Sequence, residues 1–166
     1  MTKELFQKIL FCIVLLLAQV LVLNRVHLFD RATPMIYVYI ILLFRRNYPR
    51  WRILVWSFSI GLCIDVFSNT PGLAAASLTL LGLLQPYILQ IFMQRDSPDD
   101  LQPSMATMNV ANFTYYTIIS VSIYCIVFLT LETFNFFNWM QWIESIGGSI
   151  LITVAMILVI ENLRKS

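Results

Sequence analysis

From Ile53 to Gln94 the chain is almost wholly apolar, and Asp65 is the only charged residue in that stretch. One membrane-spanning helix needs about 20 mostly apolar residues, so this run holds two spans with a break between them. The break reads Ser68-Asn69-Thr70-Pro71-Gly72-Leu73. In hydrocarbon every backbone polar group must be satisfied within the protein, which excludes open strands. The alternating ten-residue segments of a membrane barrel are not found either. The expected fold class is therefore all-α: a polytopic integral membrane helical bundle.

Composition agrees. Charged residues make up 12% of the chain and hydrophobic ones 59%, against about 25% charged for a soluble domain. The 166 residues fit a single transmembrane domain, with no room for a separate soluble catalytic or sensory domain. Six segments are predicted, at about 5–23, 34–44, 53–67, 73–93, 110–131 and 146–160. The first follows Lys3 and Lys8 but lacks a small-x-small cleavage site, so it reads as an uncleaved span rather than a signal peptide. The second has only eleven clean apolar residues. It crosses if it extends back to Leu28 with Asp30 and Arg31 at the interface; otherwise it is re-entrant or tucked.

Six spans with an inner N-terminus put Lys3, Lys8, Arg45, Arg46, Arg50, Arg52, Arg95, Arg164 and Lys165 on the cytoplasmic side, and only Arg25 and Arg31 outside. The positive-inside rule then places both termini in the cytoplasm. No basic stripe with interleaved aromatics is found elsewhere, so no nucleic-acid partner is expected. Cys12, Cys63 and Cys125 lie apart in apolar segments with no Cys-x-x-Cys spacing, which argues for small buried residues rather than a metal or redox site.

Ser57, Gly61 and Asp65 recur every four residues and share a helical face, where the small ones admit a close neighbour. Asp65 has three readings: acceptor for the free N–H groups that start the next helix, a partner contact, or a ligand or proton group. No second carboxylate or histidine is placed in another span core. Thr70 is expected to cap the fourth segment with Pro71 at its first helical position. Gln85-Pro86 marks a kink there, Gln19 and Asn112 are set to bond across helices, and Gly147-Gly148-Ser149 offers a small packing face. The Arg45, Arg46, Arg50, Arg52 cluster, with Tyr48, Trp51 and Trp56, reads as a topology determinant that attracts anionic lipid or docks a partner. The run Phe134, Phe136, Phe137, Trp139, Trp142 suits a membrane interface or a docking surface. No nucleophile–base pair, phosphate loop or metal spacing is found, so neither catalysis nor a cofactor is expected.

Gly61-Leu62-Cys63-Ile64-Asp65 followed by Pro71-Gly72-Leu73-Ala74-Ala75 resembles the Gly-Leu-x-x-Asp…Gly signature of the rod-shape-determining MreD family. The Pro-led second segment, Pro34-Met35-Ile36-Tyr37-Val38, and the order of spans are similar too. Asn69-Thr70 stands where many relatives have Gly- or Ser-rich turns. The resemblance implies a non-enzymatic component of the bacterial inner membrane that works in lateral peptidoglycan synthesis. Its implied partners are MreC, the actin-like MreB, RodA, a class-B penicillin-binding protein and membrane lipid. Gly61, Leu62, Asp65, Pro71 and Gly72 carry the motif. The family is also similar in fold to the substrate-binding S-components of energy-coupling-factor vitamin transporters, which gives the alternative function. The Ala-x-x-x-Ala docking feature of those subunits is missing, since the first segment has only Ala18.

Overall fold

The computed structural model describes Val14, Leu15, Leu17, Gln19 and residues 34–93, 101–133 and 139–165. Its helices are α1 (Val38–Leu42), α2 (Arg50–Ser68), α3 (Leu73–Phe92), α4 (Met105–Met108), α5 (Val110–Glu132) and α6 (Trp139–Lys165). Four of these, α2, α3, α5 and α6, are long and apolar enough to cross a membrane, so the chain is a helical membrane protein. They pack in chain order: α2 on α3, α3 on α5, α5 on α6. The first predicted span falls largely outside the described residues, although Val14, Leu15, Leu17 and Gln19 are helical.

Where it is described, from Pro34 onward, the second predicted segment is tucked into the bundle. Its only α-helix has five residues, about 7.5 Å at 1.5 Å per residue, against about 30 Å of hydrocarbon. Every residue of α1 is buried, packed against α3 and α5. Hydrogen bonds give its course. The Met35 N–H donates to Thr153 Oγ1 at 3.1 Å and the Tyr39 hydroxyl donates to Glu161, both acceptors on α6. The Tyr37 and Tyr124 hydroxyls meet at 2.6 Å, and the Tyr116 hydroxyl donates to the Leu42 carbonyl. Thr153 to Glu161, like Tyr124 back to Tyr116, is about 12 Å along a helix. The segment thus descends through one half of the bundle, toward the end that carries the arginines. Irregular backbone at membrane depth is tolerated where protein covers it, as here.

The break between the two central helices runs from Asn69 to Gly72. Asn69 ends α2 in the left-handed conformation (φ 57°) and Gly72 opens α3 at φ 85°. Asn and Gly are the residues that adopt such angles at least cost. By contrast α6 begins at Trp139, seven residues before the predicted start at Ile146. Nothing between them breaks a helix, so the polar and aromatic residues 139–145 join the same rod. Ser104 and Thr107 form a reciprocal capping box on α4, and Met105 and Met108 are buried.

Candidate functional site

The motif residues meet at the end of the bundle away from the arginines. Asp65 is 4% exposed. Its Oδ1 accepts from the Ala74 N–H at 2.9 Å and from the Thr70 hydroxyl at 3.1 Å, while Oδ2 accepts from the Ala75 N–H at 2.9 Å. The first N–H groups of a helix have no partner within it and carry positive partial charge. Asp65 supplies both the acceptors and the compensating charge. The structure therefore favours the first reading of this residue, a lock between α2 and α3. The expected role of Thr70 is corrected. The residue before α3 is Gly72, with no side-chain cap, and Thr70 instead donates to Asp65. Pro71 precedes α3 rather than opening it, because the positive φ at Gly72 delays the helix to Leu73.

Gly61 lies one turn before Asp65, against the same backbone. A Cβ there would stand 2.7 Å from the Ala75 nitrogen and 2.8 Å from the Ala74 oxygen. Those are backbone atoms and cannot swing away. Two turns farther along the seam the small residue is on the other helix. A Cβ on Gly82 would lie 3.2 Å from Ser57 Cβ and 3.3 Å from Ile53 Cγ2. Close approach is how membrane helices gain packing energy, since lipid provides no hydrophobic drive between them. Ser57 and Gly61 are buried in this seam, whereas the motif residue Leu62 is exposed on the outer side of α2.

At the opposite end lies a carboxylate that the sequence reading passed over. Glu161 is 2% exposed, so a second buried carboxylate does exist. Its Oε2 accepts from the Tyr39 hydroxyl and stands 3.5 Å from Arg164 Nη1; its Oε1 accepts from the Met105 N–H at 3.4 Å. Arg164 also donates to the Tyr39 oxygen at 3.1 Å. One side chain thereby ties α1, α4 and α6 together. Its signal is positional: Glu161 follows the buried Thr153, Val154 and Ile157 at intervals of eight, seven and four, on one helical face. A buried charge left without its partners is costly. Glu161→Ala is expected to lower stability by about 2–3 kcal/mol and Tyr39→Phe by about 1 kcal/mol. The double variant should lose less than the sum, as contacting pairs do. Unfolding midpoints in mixed detergent micelles check this.

The middle of the bundle is polar in a confined way. Gln85 Nε2 donates to the Phe44 carbonyl (3.3 Å) and to the Tyr116 hydroxyl (3.0 Å). Gln19 braces the start of the tucked segment, donating to the Pro34 carbonyl and accepting from the Ile36 N–H. Asn112 Nδ2 donates to the Phe92 carbonyl, the expected bond across helices, whereas the partners of Gln19 lie in the irregular chain ahead of α1. Gln85 Oε1 and Ser120 Oγ are buried without a hydrogen-bond partner. Helix α3 continues through Pro86, which has no N–H to offer the Gly82 carbonyl.

The expected partner-binding residues divide between the two ends. Arg45 and Arg46 precede α2, while Arg50 and Arg52 lie in its first turn. Their surroundings are aromatic. Arg50 lies over the Tyr87 ring at 5.2 Å and donates to its hydroxyl at 3.1 Å. Arg52 stands 5.8 Å from the Tyr48 ring and 5.3 Å from the Trp51 ring. At the other end Trp139 is exposed, in edge contact with Trp142 at 6.2 Å. Phe134, Phe136 and Phe137 lie outside the described residues. Cys63 is exposed and Cys125 buried. No group of three His, Cys, Asp or Glu that could hold a metal ion is found among the described residues. No family model, curated protein or solved structure matches the chain.

Proposed function

We propose that this chain is a non-enzymatic scaffold of the MreD type in a bacterial inner membrane, with both termini cytoplasmic. In this reading it binds MreC and, with MreB, RodA and a class-B penicillin-binding protein, helps direct lateral peptidoglycan synthesis and maintain rod shape. The observation that carries the reading is the role of the motif. Gly61 allows α2 to touch the α3 backbone, and Asp65 binds the first N–H groups of α3. A signature that shapes a hairpin suits a protein whose task is to present surfaces. In this reading Trp139 and Trp142 belong to the side where MreC has most of its mass, and Arg45–Arg52 to the filament side.

Crosslinking of a tagged copy in its native membrane, followed by mass spectrometry, tests this. MreC and wall-elongation proteins are the expected catch. Changing Phe136, Phe137 and Trp139 together to Ser is expected to reduce MreC recovery at least fivefold while membrane insertion stays intact. Unchanged recovery removes that surface from the proposal.

One observation favours a second reading, a ligand-binding subunit akin to the vitamin-transporter S-components. Gln85 Oε1 and Ser120 Oγ are buried with unused hydrogen-bonding capacity, and a small polar ligand would use it. Recovery of an ATPase module and its membrane coupler in the same crosslinking experiment would favour this reading and displace the first.

A further inference from the structure

Arg50 and Arg52 are exposed, and among the described residues their side-chain neighbours are aromatic rings. A guanidinium has five N–H donors in a planar fork that matches phosphate oxygens. Arg50 spends one on the Tyr87 hydroxyl. The two side chains also share the first turn of α2, which has no acidic residue and no side-chain cap. The positive end of the helix therefore adds to their charge instead of offsetting it.

An apolar track leads away from this cationic corner. Tyr87 is half-exposed, and Leu83 and Leu80 are exposed at one and two turns beyond it on α3. The Arg50 guanidinium, lying over Tyr87, is thus continuous with the start of that track. Trp51, exposed on α2, is a residue type that settles at the headgroup level of a bilayer. A guanidinium fork held on Tyr87 at the head of an apolar strip matches an amphiphile with a phosphate head and acyl tails.

We infer that Arg50 and Arg52, with Tyr87 and the strip along α3, form a binding site for an anionic phospholipid. The phosphate sits on the Arg50 guanidinium, Arg52 adds positive charge at the same helix end, and one acyl chain follows Leu83 and Leu80. The occupant is lipid rather than an acidic protein segment because the charge complementarity is confined to one end of a strip that is otherwise apolar. The Tyr87 ring and hydroxyl hold the Arg50 guanidinium, so the site depends on arginine geometry as well as on positive charge.

The test uses the full chain with Trp51 as its only tryptophan (Trp56, Trp139 and Trp142 each changed to Phe), reconstituted in phosphatidylcholine vesicles. Quenching of Trp51 is compared for equal fractions of brominated phosphatidylglycerol and brominated phosphatidylcholine. We expect phosphatidylglycerol to be preferred about fivefold or more, on the scale of one basic residue near an anionic surface. Arg50→Gln with Arg52→Gln should bring the ratio to about one. Arg50→Lys with Arg52→Lys, which keeps the charge, should lose at least half of the preference. A companion protein with Trp139 as its only tryptophan should show none. Equal quenching by both lipids at Trp51, or full preference in the lysine variant, would overturn the assignment. Circular dichroism of each variant separates misfolding from lost binding, and native mass spectrometry of the unaltered chain in a mixture of the two lipids gives a second, substitution-free reading of the same preference.

Discussion

Replacing Gly61 by valine is expected to do the greatest damage of any single apolar substitution in the described chain. The new side chain would enter the space now held by the Ala74 and Ala75 backbone. Overpacking a tight contact costs about 1–3 kcal/mol when side chains can yield, and here the obstructing atoms are main chain. The cost should reach or exceed the top of that range. The added volume would also drag Asp65 from its two N–H donors one turn away, so the loss should include part of that bond energy. Gly147→Val is the matched control, because a Cβ at Gly147 meets nothing within 4 Å. Unfolding midpoints in mixed micelles should separate the two variants sharply. Similar midpoints would mean that the α2–α3 seam is far looser than its geometry.

Asp65→Ala should come next. It leaves the Ala74 and Ala75 N–H groups and the Thr70 hydroxyl without an acceptor. Hydrogen bonds to a charged group are worth about 1.5–3 kcal/mol each. Those sharing one carboxylate do not add fully, so a loss of about 3 kcal/mol is expected. Asp65→Asn keeps one oxygen but turns an amide NH2 toward a backbone N–H, and should fall between alanine and the natural residue. This series also discriminates between roles. A lock predicts that MreC recovery declines in step with stability. A ligand or proton group predicts an Asn variant that is stable and inactive.

The Asp65 corner was legible because a single charge in a long apolar run must have a partner or a purpose, and a glycine one turn earlier places that partner on a neighbouring helix. Glu161 was not legible by the same logic. It sits in Glu161-Asn162-Leu163-Arg164-Lys165, which reads as a solvated helix end until its register with Ile157 and Thr153 is followed. The early start of α6 was hidden for a related reason. Trp139-Met140-Gln141-Trp142 has the composition of an interfacial loop, yet no residue in it stops a helix. The second segment was readable in length but not in fate. Eleven apolar residues fit either a lipid-facing helix or a buried plug, and the burial of this one comes from partners distant in sequence, Thr153, Tyr124 and Glu161.

That plug has a consequence for how the protein is made. Its α-helix of five residues, buried on every side, is too short to partition from the translocon into lipid by itself. The surfaces that cover it belong to α3, α5 and α6, which are synthesised later. Residues 34–44 therefore gain their full cover only once the Asp65-locked hairpin and the last two helices are in place. A chain that ended before α6 would leave Met35 and Tyr39 without their acceptors, Thr153 and Glu161.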